Sequence, residues 1–551
     1  MQTWLQLHPK DNLIVALRDL PAGSRISVAG RVVELLEPIA AKHKFVLEDV
    51  AAGGRLFMYG VLVGEAVTPV YAGSLIHTGN VVHAAQGYEA REGERPDWRA
   101  PDVSRWTEAT FDGYHRADGR VGTGNYWLVI PLVFCENRNV EAIREVMIDR
   151  LGYGRREERA VDVDILVEAY RNGADAATIL RTDTLRAGAQ EQKNGRVFPN
   201  VDGIKFLTHD GGCGGIRQDA EVLCKLLAGY ICHPNVAGAT VLSLGCQNAQ
   251  IPILQEAIAA YGASGRKPVH YLEQQSSASE RDFIATAVKQ TFAGLMEADH
   301  CSRAPAPLAA LTLGLECGGS DGFSGISANP VLGHVSDMLV ALGARTVLAE
   351  FPELNGVEQE LIDRCATPEL AKKFASLMLD YSAAAEAVGS GFKNNPSPGN
   401  IRDGLITDAM KSAGAAKKGG SSPVRDVLDY AEPVTRPGLN LLCTPGNDVE
   451  STTGLAGSGC NLIVFTTGLG TPTGNPIVPV VKMASNTTLA ERMADIIDFD
   501  GGPVIRGEQT IAQRADDLRE LLVEVASGRH PTAAQRLGQD DFIPWKRGVS
   551  L

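Results

Sequence analysis

From residue 111 onward, short apolar segments alternate with longer amphipathic segments, and this alternation constrains the fold more than any other property of the chain. Such apolar runs predict buried strands, and the segments between them predict helices. Strands interleaved with helices form parallel sheets covered on both faces. The predicted strands are residues 126–134, 203–208, 239–244, 269–272, 308–315, 346–349, 439–443, 462–466 and 478–483. The main predicted helices are residues 140–152, 219–230, 279–297, 331–342 and 368–388.

The chain of 551 residues is too long for a single core, so several domains are expected. Residues 1–90 hold short strand-like segments separated by turns, which predicts a small β domain. Residues 91–110 are charged, contain proline and show no periodicity, which predicts a linker. The strands that follow are too many for one small sheet. They predict two α/β subdomains, residues 111–300 and 301–551, with mostly parallel sheets, the first of them flavodoxin-like.

The composition narrows the class of protein. A hydrophobic content of 44% and a charged content of 21% are those of a soluble globular chain. The net charge of -14 argues against nucleic acid as a partner. No apolar stretch is long enough to span a membrane, and the first residues lack a signal peptide's basic and apolar regions, so a cytoplasmic protein is expected. In that setting the ten cysteines are expected to be free, catalytic or metal-binding rather than paired in disulfides.

Cysteines follow several predicted strands, at the point where each strand ends. Cys135, Cys213, Cys246 and Cys317 occupy such positions beside small or polar residues. In open α/β sheets ligands bind beyond the carboxyl ends of the strands. Soft ligands that converge there could hold iron, either as a single ion or as a cluster. For any one of these cysteines, the alternative is a small buried side chain with a packing role.

One strand end is exceptionally rich in glycine and serine. Residues 313–330 read LGLECGGSDGFSGISANP, and a predicted helix follows. A strand that breaks into such a loop before a helix exposes backbone N–H groups, hydroxyls and a helix N-terminus together. This arrangement suits an anionic ligand such as a carboxylate or a phosphate. A plain connecting loop is the alternative.

These segments carry a family resemblance. Residues 113–125, GYHRADGRVGTGN, resemble the opening signature of the altronate dehydratase/galactarate dehydratase family of sugar-acid hydro-lyases. The N-terminal block resembles the SAF domain, a β-clip-like module, through HPKDN, KHK, YGVLVGEA and HTGN. Gly124 and Leu469 depart from the pattern, since many members have arginine there. Further matching motifs are HDGGCG, HPNVAG, LGC, ECGGSDGFSGISANP, NPSPGN, KGG, TPGNDVESTTGLAGSG, FTTGLGTP and KMASN.

The resemblance implies a reaction. Members remove water from a 2,3-dihydroxy carboxylate and form a 2-keto-3-deoxy acid. Within the family, the length and the N-terminal block favour conversion of D-altronate to 2-keto-3-deoxy-D-gluconate in hexuronate catabolism. Galactarate dehydration and sulfolactate-type elimination are the alternatives. Such chemistry needs a base for the C2 proton, an acid for the departing hydroxyl and a metal that stabilises the developing charge. The resemblance points to Fe2+, with Mn2+ as the alternative.

The same resemblance suggests which side chains do this work. The predicted catalytic residues are His43, His77 and Lys482, and the two histidines could serve either as metal ligands or as the acid/base pair. Lys418 and Lys482 are the predicted cations for the carboxylate or for base duty. The predicted metal ligands are His43, His77, His209, Cys213, Cys246 and Cys317. The predicted substrate-binding residues are Ser320, Asp321, Asn395, Ser397, Asn447, Asp448, Thr452 and Lys418.

A different class of function also fits the glycine-rich loops, namely a non-enzymatic binder of sugar acids or phosphates on a flavodoxin-like fold. The sequence contains no GxGxxG after the first strand and no GxxxxGK[ST], so a nucleotide fingerprint does not support this class. Cysteine and histidine at strand ends favour catalysis. The expected partner is a small sugar-acid substrate, and the sequence leaves a homo-oligomer open.

Overall fold

A computed structural model of the chain describes residues 2–89, 97–154, 161–185, 195–262 and 266–551. The N-terminal part is a small β domain of short antiparallel strands. Its hairpins alternate buried and exposed side chains, as in Arg25–Val28, so that one face of each covers a core. The strands are β1 (Trp4–Leu5), β2 (Leu13–Ala16), β3 (Arg25–Val28), β4 (Arg31–Glu34), β5 (Lys44–Val46), β6 (Arg55–Met58), β7 (Val61–Ala66) and β8 (Val81–Val82).

The second unit contains a parallel four-stranded sheet in the order β12-β11-β13-β14. The first strand in the chain, β11, lies inside the sheet, as in flavodoxin-like folds. A small antiparallel sheet of β10, β9 and β15 connects this unit to the third. The elements are β9 (Thr110–His115), β10 (Val121–Gly122), β11 (Tyr126–Pro131), α1 (Asn137–Met147), α2 (Val163–Arg171), α3 (Ala176–Arg181), β12 (Gly203–Phe206), α4 (Arg217–Cys232), β13 (Val236–Ser243), α5 (Ile251–Ala260), β14 (Val269–Glu273), α6 (Glu280–Ala298) and β15 (Arg303–Pro307).

The third unit is built on a parallel seven-stranded sheet in the order β18-β19-β17-β16-β20-β21-β22. Its inner strands are buried on both faces, which is why they read as continuous apolar runs. The first part comprises β16 (Thr312–Cys317), α7 (Ala328–Ala341), β17 (Arg345–Leu348), α8 (Glu358–Arg364), α9 (Pro368–Ala387), α10 (Pro398–Arg402), α11 (Asp408–Ala415) and β18 (Val424–Leu428). The second part comprises β19 (Gly438–Leu442), α12 (Asp448–Gly457), β20 (Leu462–Thr467), β21 (Val480–Ala484), α13 (Thr487–Arg492), β22 (Phe499–Asp500), α14 (Ile511–Ala526) and α15 (Ala533–Leu537).

The predicted fold class is confirmed, since a small β domain precedes α/β units with parallel sheets. Two details differ. The predicted strand 308–315 begins with a short 3-10 turn, and regular pairing starts only at Thr312. In the second and third units, five strands were not predicted, namely β9, β10, β15, β18 and β22. In β18 the sequence VRDVL alternates with charged residues and lacks an apolar run.

The predicted linker is only partly described, since residues 91–96 lie outside the described part of the chain. The remainder is docked onto the third unit. Trp106 packs against its core, and the Arg519 guanidinium lies 3.2 Å from the centre of the Trp106 ring. The domain boundaries at 90, 110 and 300 stay predictions.

The β domain shares a core with the third unit. Leu13, Val46 and Val63 of the β domain belong to one buried apolar cluster with Phe323 and Met410 of the third unit. Because apolar burial favours association in proportion to area, this common core fixes the β domain over one end of the seven-stranded sheet. In the described part of the chain, no helix combines the length and apolarity that a membrane crossing needs.

The shared core leads to a stability prediction. Met410 is 1% exposed, whereas Met296 on α6 is 54% exposed. We expect Met410→Ala to lower the free energy of unfolding by about 2–5 kcal/mol, because it removes buried contacts and leaves a cavity. The matched Met296→Ala variant is expected to change it by no more than about 0.5 kcal/mol. Urea unfolding measures both, and equal effects would contradict the shared core.

Candidate active site

The polar side chains of the third unit concentrate beyond the carboxyl edge of its seven-stranded sheet. Strand β16 ends in Glu316 and Cys317, while Glu350 and Glu353 follow β17. Lys482 is the middle residue of β21, and the strand register places it level with Glu316. Parallel strands bring their carboxyl ends to one edge, so residues far apart in sequence meet there.

A thiol and two carboxylates form the centre of this edge. One ligand atom each from Cys317, Glu350 and Glu353 lies within 4.8 Å of the others, and all three residues are buried. The Cys317 thiol donates a hydrogen bond to Glu353 Oε2 at 3.3 Å, and the Cys317 backbone N–H donates to Glu350 Oε2 at 3.0 Å. These three residues are called the thiol–carboxylate cluster below.

Two buried lysines neutralise the cluster. Lys418 Nζ donates to Glu350 Oε2 at 2.6 Å and to Cys317 Sγ at 2.7 Å. Lys411 Nζ donates to Glu353 Oε1 at 2.6 Å. Burying an unpaired charge costs much free energy, so the ionised form of each carboxylate is stabilised by its lysine partner.

The protonation states follow from burial and these pairs. Burial disfavours the charged form of Glu353, but Lys411 and Lys418 outweigh it and lower the pKa of Glu353. Burial also opposes the Lys418 ammonium, yet Cys317 and Glu350 outweigh it and raise the pKa of Lys418 well above its usual value. For Glu316, burial and the nearby Glu350 raise the pKa well above the normal range. At this edge Glu353 and Lys418 are therefore charged, whereas Glu316 is neutral.

Glu350 has an unusual backbone conformation. Its φ of 66° lies in the left-handed region, which costs about 1–3 kcal/mol for a residue with a side chain. Its backbone N–H donates to Thr444 Oγ1 at 2.8 Å, and that hydroxyl lies 2.8 Å from Ser451 Oγ. Ser451 in turn donates to Glu316 Oε2. This chain of hydrogen bonds holds the strained residue and orients its carboxylate toward Cys317.

Lys482 and Asp448 form a second titratable pair at the edge. Burial lowers the pKa of Lys482 to about 7, with Asp448 acting in the opposite direction. Burial raises the pKa of Asp448 to about 7, and Glu350 raises it further. Lys482 Nζ is buried without a hydrogen-bond partner in the described residues and lies 4.1 Å from the centre of the Phe465 ring. A neutral amine and a protonated carboxyl group are thus both accessible near neutral pH.

Gly318 lies in close contact with Asp448, where a side chain would not fit. A Cβ at Gly318 would lie 2.5 Å from Phe465 Cζ and closer still to Asp448 Oδ2. The first glycine of the glycine-rich loop is therefore required by close packing of Asp448 and Phe465 against the end of β16.

The β domain reaches the same edge through the KHK segment. Lys42 Nζ lies 3.0 Å from Asp321 Oδ2 and 2.8 Å from Asp403 Oδ1. Lys44 Nζ is buried and donates to the Gly404 carbonyl at 2.6 Å. Asp321 also accepts from Ser485 Oγ at 2.9 Å, so it is fully engaged as a structural anchor between the two units.

The structure brings several predicted site residues together. Cys317, Lys418, Asp448 and Lys482 belong to the edge just described, and Asn395 Oδ1 accepts from Lys411 Nζ at 3.0 Å. Others have local roles. Ser397 caps α10, and Thr452 donates to the Val449 carbonyl at 3.1 Å. The side chains of Ser320 and Asn447 lie in the loops after β16 and β19 and form no hydrogen bond with another described residue.

The predicted metal ligands do not form one group. His209 has both ring nitrogens engaged, because Nε2 lies 3.0 Å from the Pro131 carbonyl and Nδ1 accepts from the Gly211 N–H. Cys213 and Cys246 are exposed and belong to the four-stranded sheet. In the β domain, the half-buried His43 lies between Lys42 and Lys44, and His77 is exposed. Their roles as ligands or acid/base groups stay predictions.

Sequence reasoning missed Glu350, Glu353 and Lys411. The two glutamates occur in AEFPEL, directly after a strand that was predicted, and the rule of inspecting strand ends applied there would have found them. Lys411 lies inside helix α11, where no local pattern separates a buried lysine from an exposed one.

Comparison with known proteins gives consistent matches along the whole chain. Residues 2–84 match the altronate/galactarate dehydratase SAF domain, residues 113–299 the D-galactarate dehydratase/altronate hydrolase second domain, and residues 308–550 the D-galactarate/altronate dehydratase C-terminal domain.

Individual relatives cover nearly the full length. An altronate dehydratase of Escherichia coli (strain K12) is 33% identical over 549 residues, covering 100% of both chains. One from Bacillus subtilis (strain 168) is 33% identical, covering 96% of each chain. A galactarate dehydratase (L-threo-forming) of Escherichia coli (strain K12) is 29% identical and covers 97% of this chain and 95% of its own.

The lowered pKa of Lys482 leads to a prediction about stability. Because the folded pKa is about 7 and the usual value is 10.5, the unfolded chain binds the extra proton between these pH values. Stability contributed by this group therefore rises with pH across that window. We expect Lys482→Met to reduce the rise, measured as the free energy of unfolding in urea from pH 7 to pH 10. Lys289→Met, at an exposed position on α6, should leave it unchanged. Equal pH profiles for wild type and Lys482→Met would refute the assignment.

Proposed function

Because the chain belongs to the altronate and galactarate dehydratase family and is a hydro-lyase, we propose that it dehydrates a sugar acid at the carboxyl edge of the seven-stranded sheet. The proposed substrate is D-altronate and the product 2-keto-3-deoxy-D-gluconate. Two altronate dehydratases at 33% identity support this choice over galactarate, whose dehydratase is 29% identical. The observation that carries the proposal is the buried Lys482 amine beside Asp448, both with a pKa of about 7.

The two groups suit the two proton transfers of dehydration. Neutral Lys482 takes the proton from C2, and the C2–H electron pair becomes the C2–C3 double bond. Protonated Asp448 gives its proton to the C3 hydroxyl, which leaves as water. The resulting enol becomes the 2-keto-3-deoxy acid when C3 gains a proton and the C2 hydroxyl loses one. Lys482 ends charged and Asp448 ionised, so proton transfer between them restores the starting state. Acid and base with pKa values near the working pH are the most effective.

The substrate's hydroxyls need partners with free hydrogen-bonding capacity. Ser320 and Asn447 fit this role, since their side chains form no hydrogen bond with another described residue. Asp321, Ser397 and Thr452 are engaged in structural hydrogen bonds and are better suited to holding the loops in place.

The thiol–carboxylate cluster fits a divalent metal. Glu350 Oε1 is buried and, within the described residues, accepts no hydrogen bond, so this oxygen is available as a ligand atom. A thiol with carboxylates is a donor set compatible with Fe2+ or Mn2+. Cys317, Glu350 and Glu353 would hold the ion, with loss of the thiol proton and displacement of Lys418 from Cys317. When bound, the metal supplies Lewis-acid stabilisation of the negative charge that develops on the substrate carboxylate.

The substrate and metal requirements can be tested together. We expect the anaerobically purified protein to release a 2-keto acid from D-altronate in preference to galactarate, other aldonic acids and sulfolactate. A chelator should abolish turnover, and Fe2+ should restore it better than Mg2+. A chromogenic assay for 2-keto acids and a sulfite assay measure the products. Sulfite release from sulfolactate, or no turnover of any sugar acid, would overturn the proposed function.

Metal content identifies the ligands in the same experiment. Glu353→Gln is expected to lower bound iron, because it removes the anionic oxygen beside Cys317. His43→Gln and His77→Gln are the comparison variants. If these two lose iron while Glu353→Gln keeps it, the histidines of the β domain hold the metal and the cluster does not.

The proton-transfer roles lead to a further prediction. We expect Lys482→Met to lower kcat by about 10²–10⁴-fold while bound iron is retained. It should also abolish exchange of the substrate's C2 hydrogen with deuterated water, measured by NMR. Asp448→Asn should lose water elimination to a similar extent but keep the exchange, provided that the wild type catalyses it. Lys289→Met serves as the control. Exchange at the wild-type rate in Lys482→Met would show that another residue is the base.

A further inference from the structure

The exposed cysteines of the chain lie at one place. Of the ten cysteines, six are buried, Cys301 is intermediate, and three are exposed, namely Cys135, Cys213 and Cys246. Free cysteine is among the most buried residue types, so exposure of three calls for an explanation. All three follow strands of the four-stranded sheet, at its carboxyl edge, and none belongs to the thiol–carboxylate cluster.

The sheet order makes the three cysteines neighbours. Cys213 follows β12, Cys135 follows β11 and Cys246 follows β13, and these three strands are consecutive in the sheet. Adjacent strands lie about 4.8 Å apart, so the three loops start within about 10 Å of one another. The Phe134 N–H donates to the Gly211 carbonyl at 2.7 Å, joining the Cys135 loop to the Cys213 loop. Asn248 Nδ2 donates to the Cys213 carbonyl at 3.1 Å, joining the Cys246 loop to the same segment.

The surroundings favour negative charge. Helices α1, α4 and α5 begin shortly after Cys135, Cys213 and Cys246, so three helix N-termini lie at this edge. Their dipoles favour anions. Gly212 and Gly214 flank Cys213, and a Cβ at Gly212 would meet nothing closer than 4.0 Å. The loop is therefore open on the Gly212 side of Cys213, whereas a Cβ at Gly214 would lie 3.1 Å from Leu551 O.

We propose that Cys135, Cys213 and Cys246 ligate an iron–sulfur cluster with one iron left free of protein ligands. Thiolates are the protein ligands that such clusters use. A closed structural zinc site would need a fourth protein ligand, and the nearby His209 has both ring nitrogens in hydrogen bonds. The open iron takes oxygen ligands such as a carboxylate or a hydroxyl. This site is separate from the metal of the proposed function and does not rest on it.

Acid-labile sulfide separates this proposal from a single iron ion. The full chain is purified anaerobically from an iron-supplied host, and iron, zinc, sulfide and visible absorption are measured. We expect about four sulfides per chain and the broad absorption of a thiolate-bound cluster. Each of Cys135→Ser, Cys213→Ser and Cys246→Ser should lose most of the sulfide and the absorption. Circular dichroism and thermal unfolding check that these variants are folded.

Two control variants test whether loss of sulfide is specific to the three exposed cysteines. Cys301→Ser, at a half-buried cysteine that contacts the His115 carbonyl, should keep the full sulfide content. Cys317→Ser should also keep it, while losing the separate metal of the thiol–carboxylate cluster. Iron without sulfide, zinc in place of iron, a disulfide among the three cysteines, or no metal at all in the wild type would each overturn the proposal. Sulfide retained in the three folded serine variants would do the same.

Discussion

The structure of the third unit depends on burying charge at the end of a sheet. The carboxylates of Glu350 and Glu353, which follow β17, are removed from water, and ion pairs with Lys418 and Lys411 offset the cost of that burial. Removing one partner of such a pair is strongly destabilising, about 3–5 kcal/mol, because it leaves an uncompensated buried charge. Replacement of the whole set by apolar residues would often be neutral or stabilising. Retention of these charges is therefore better explained by chemistry than by stability.

The parallel sheet supplies the geometry for this chemistry. Cys317, Glu350, Asp448 and Lys482 come from four different strands or strand ends, spread over more than half of the third unit's sequence. Close packing fixes part of this edge, since Asp448 and Phe465 lie against Gly318. Two sets of groups result. Glu353 and Lys418 carry fixed charges at the thiol–carboxylate cluster, whereas Lys482 and Asp448 can each gain or lose a proton near neutral pH.

Much of this architecture follows from sequence patterns. The parallel strands were predictable because buried strands read as apolar runs, and their carboxyl ends were predictable as the place of the site. Cys317 and Asp448 were found in this way, whereas Lys418 and Lys482 were suggested by the motifs of the family resemblance. Sequence patterns did not reveal which charged residues form ion pairs, because the pairing of Lys411 with Glu353 depends on packing between distant elements. A lone histidine motif was also a weak guide, since the hydrogen bonds that occupy His209 are tertiary.

The common core of the β domain and the third unit has a consequence for access to the site. Rotating the β domain away as a rigid body would expose Phe323 and Met410 to water, together with their partners such as Leu13. It would also separate Lys42 from Asp321. Opening by this route would thus carry a free-energy cost comparable to partial unfolding. A sugar acid must therefore enter and leave through smaller displacements of the loops beyond the sheet edge, with the β domain in place throughout the catalytic cycle.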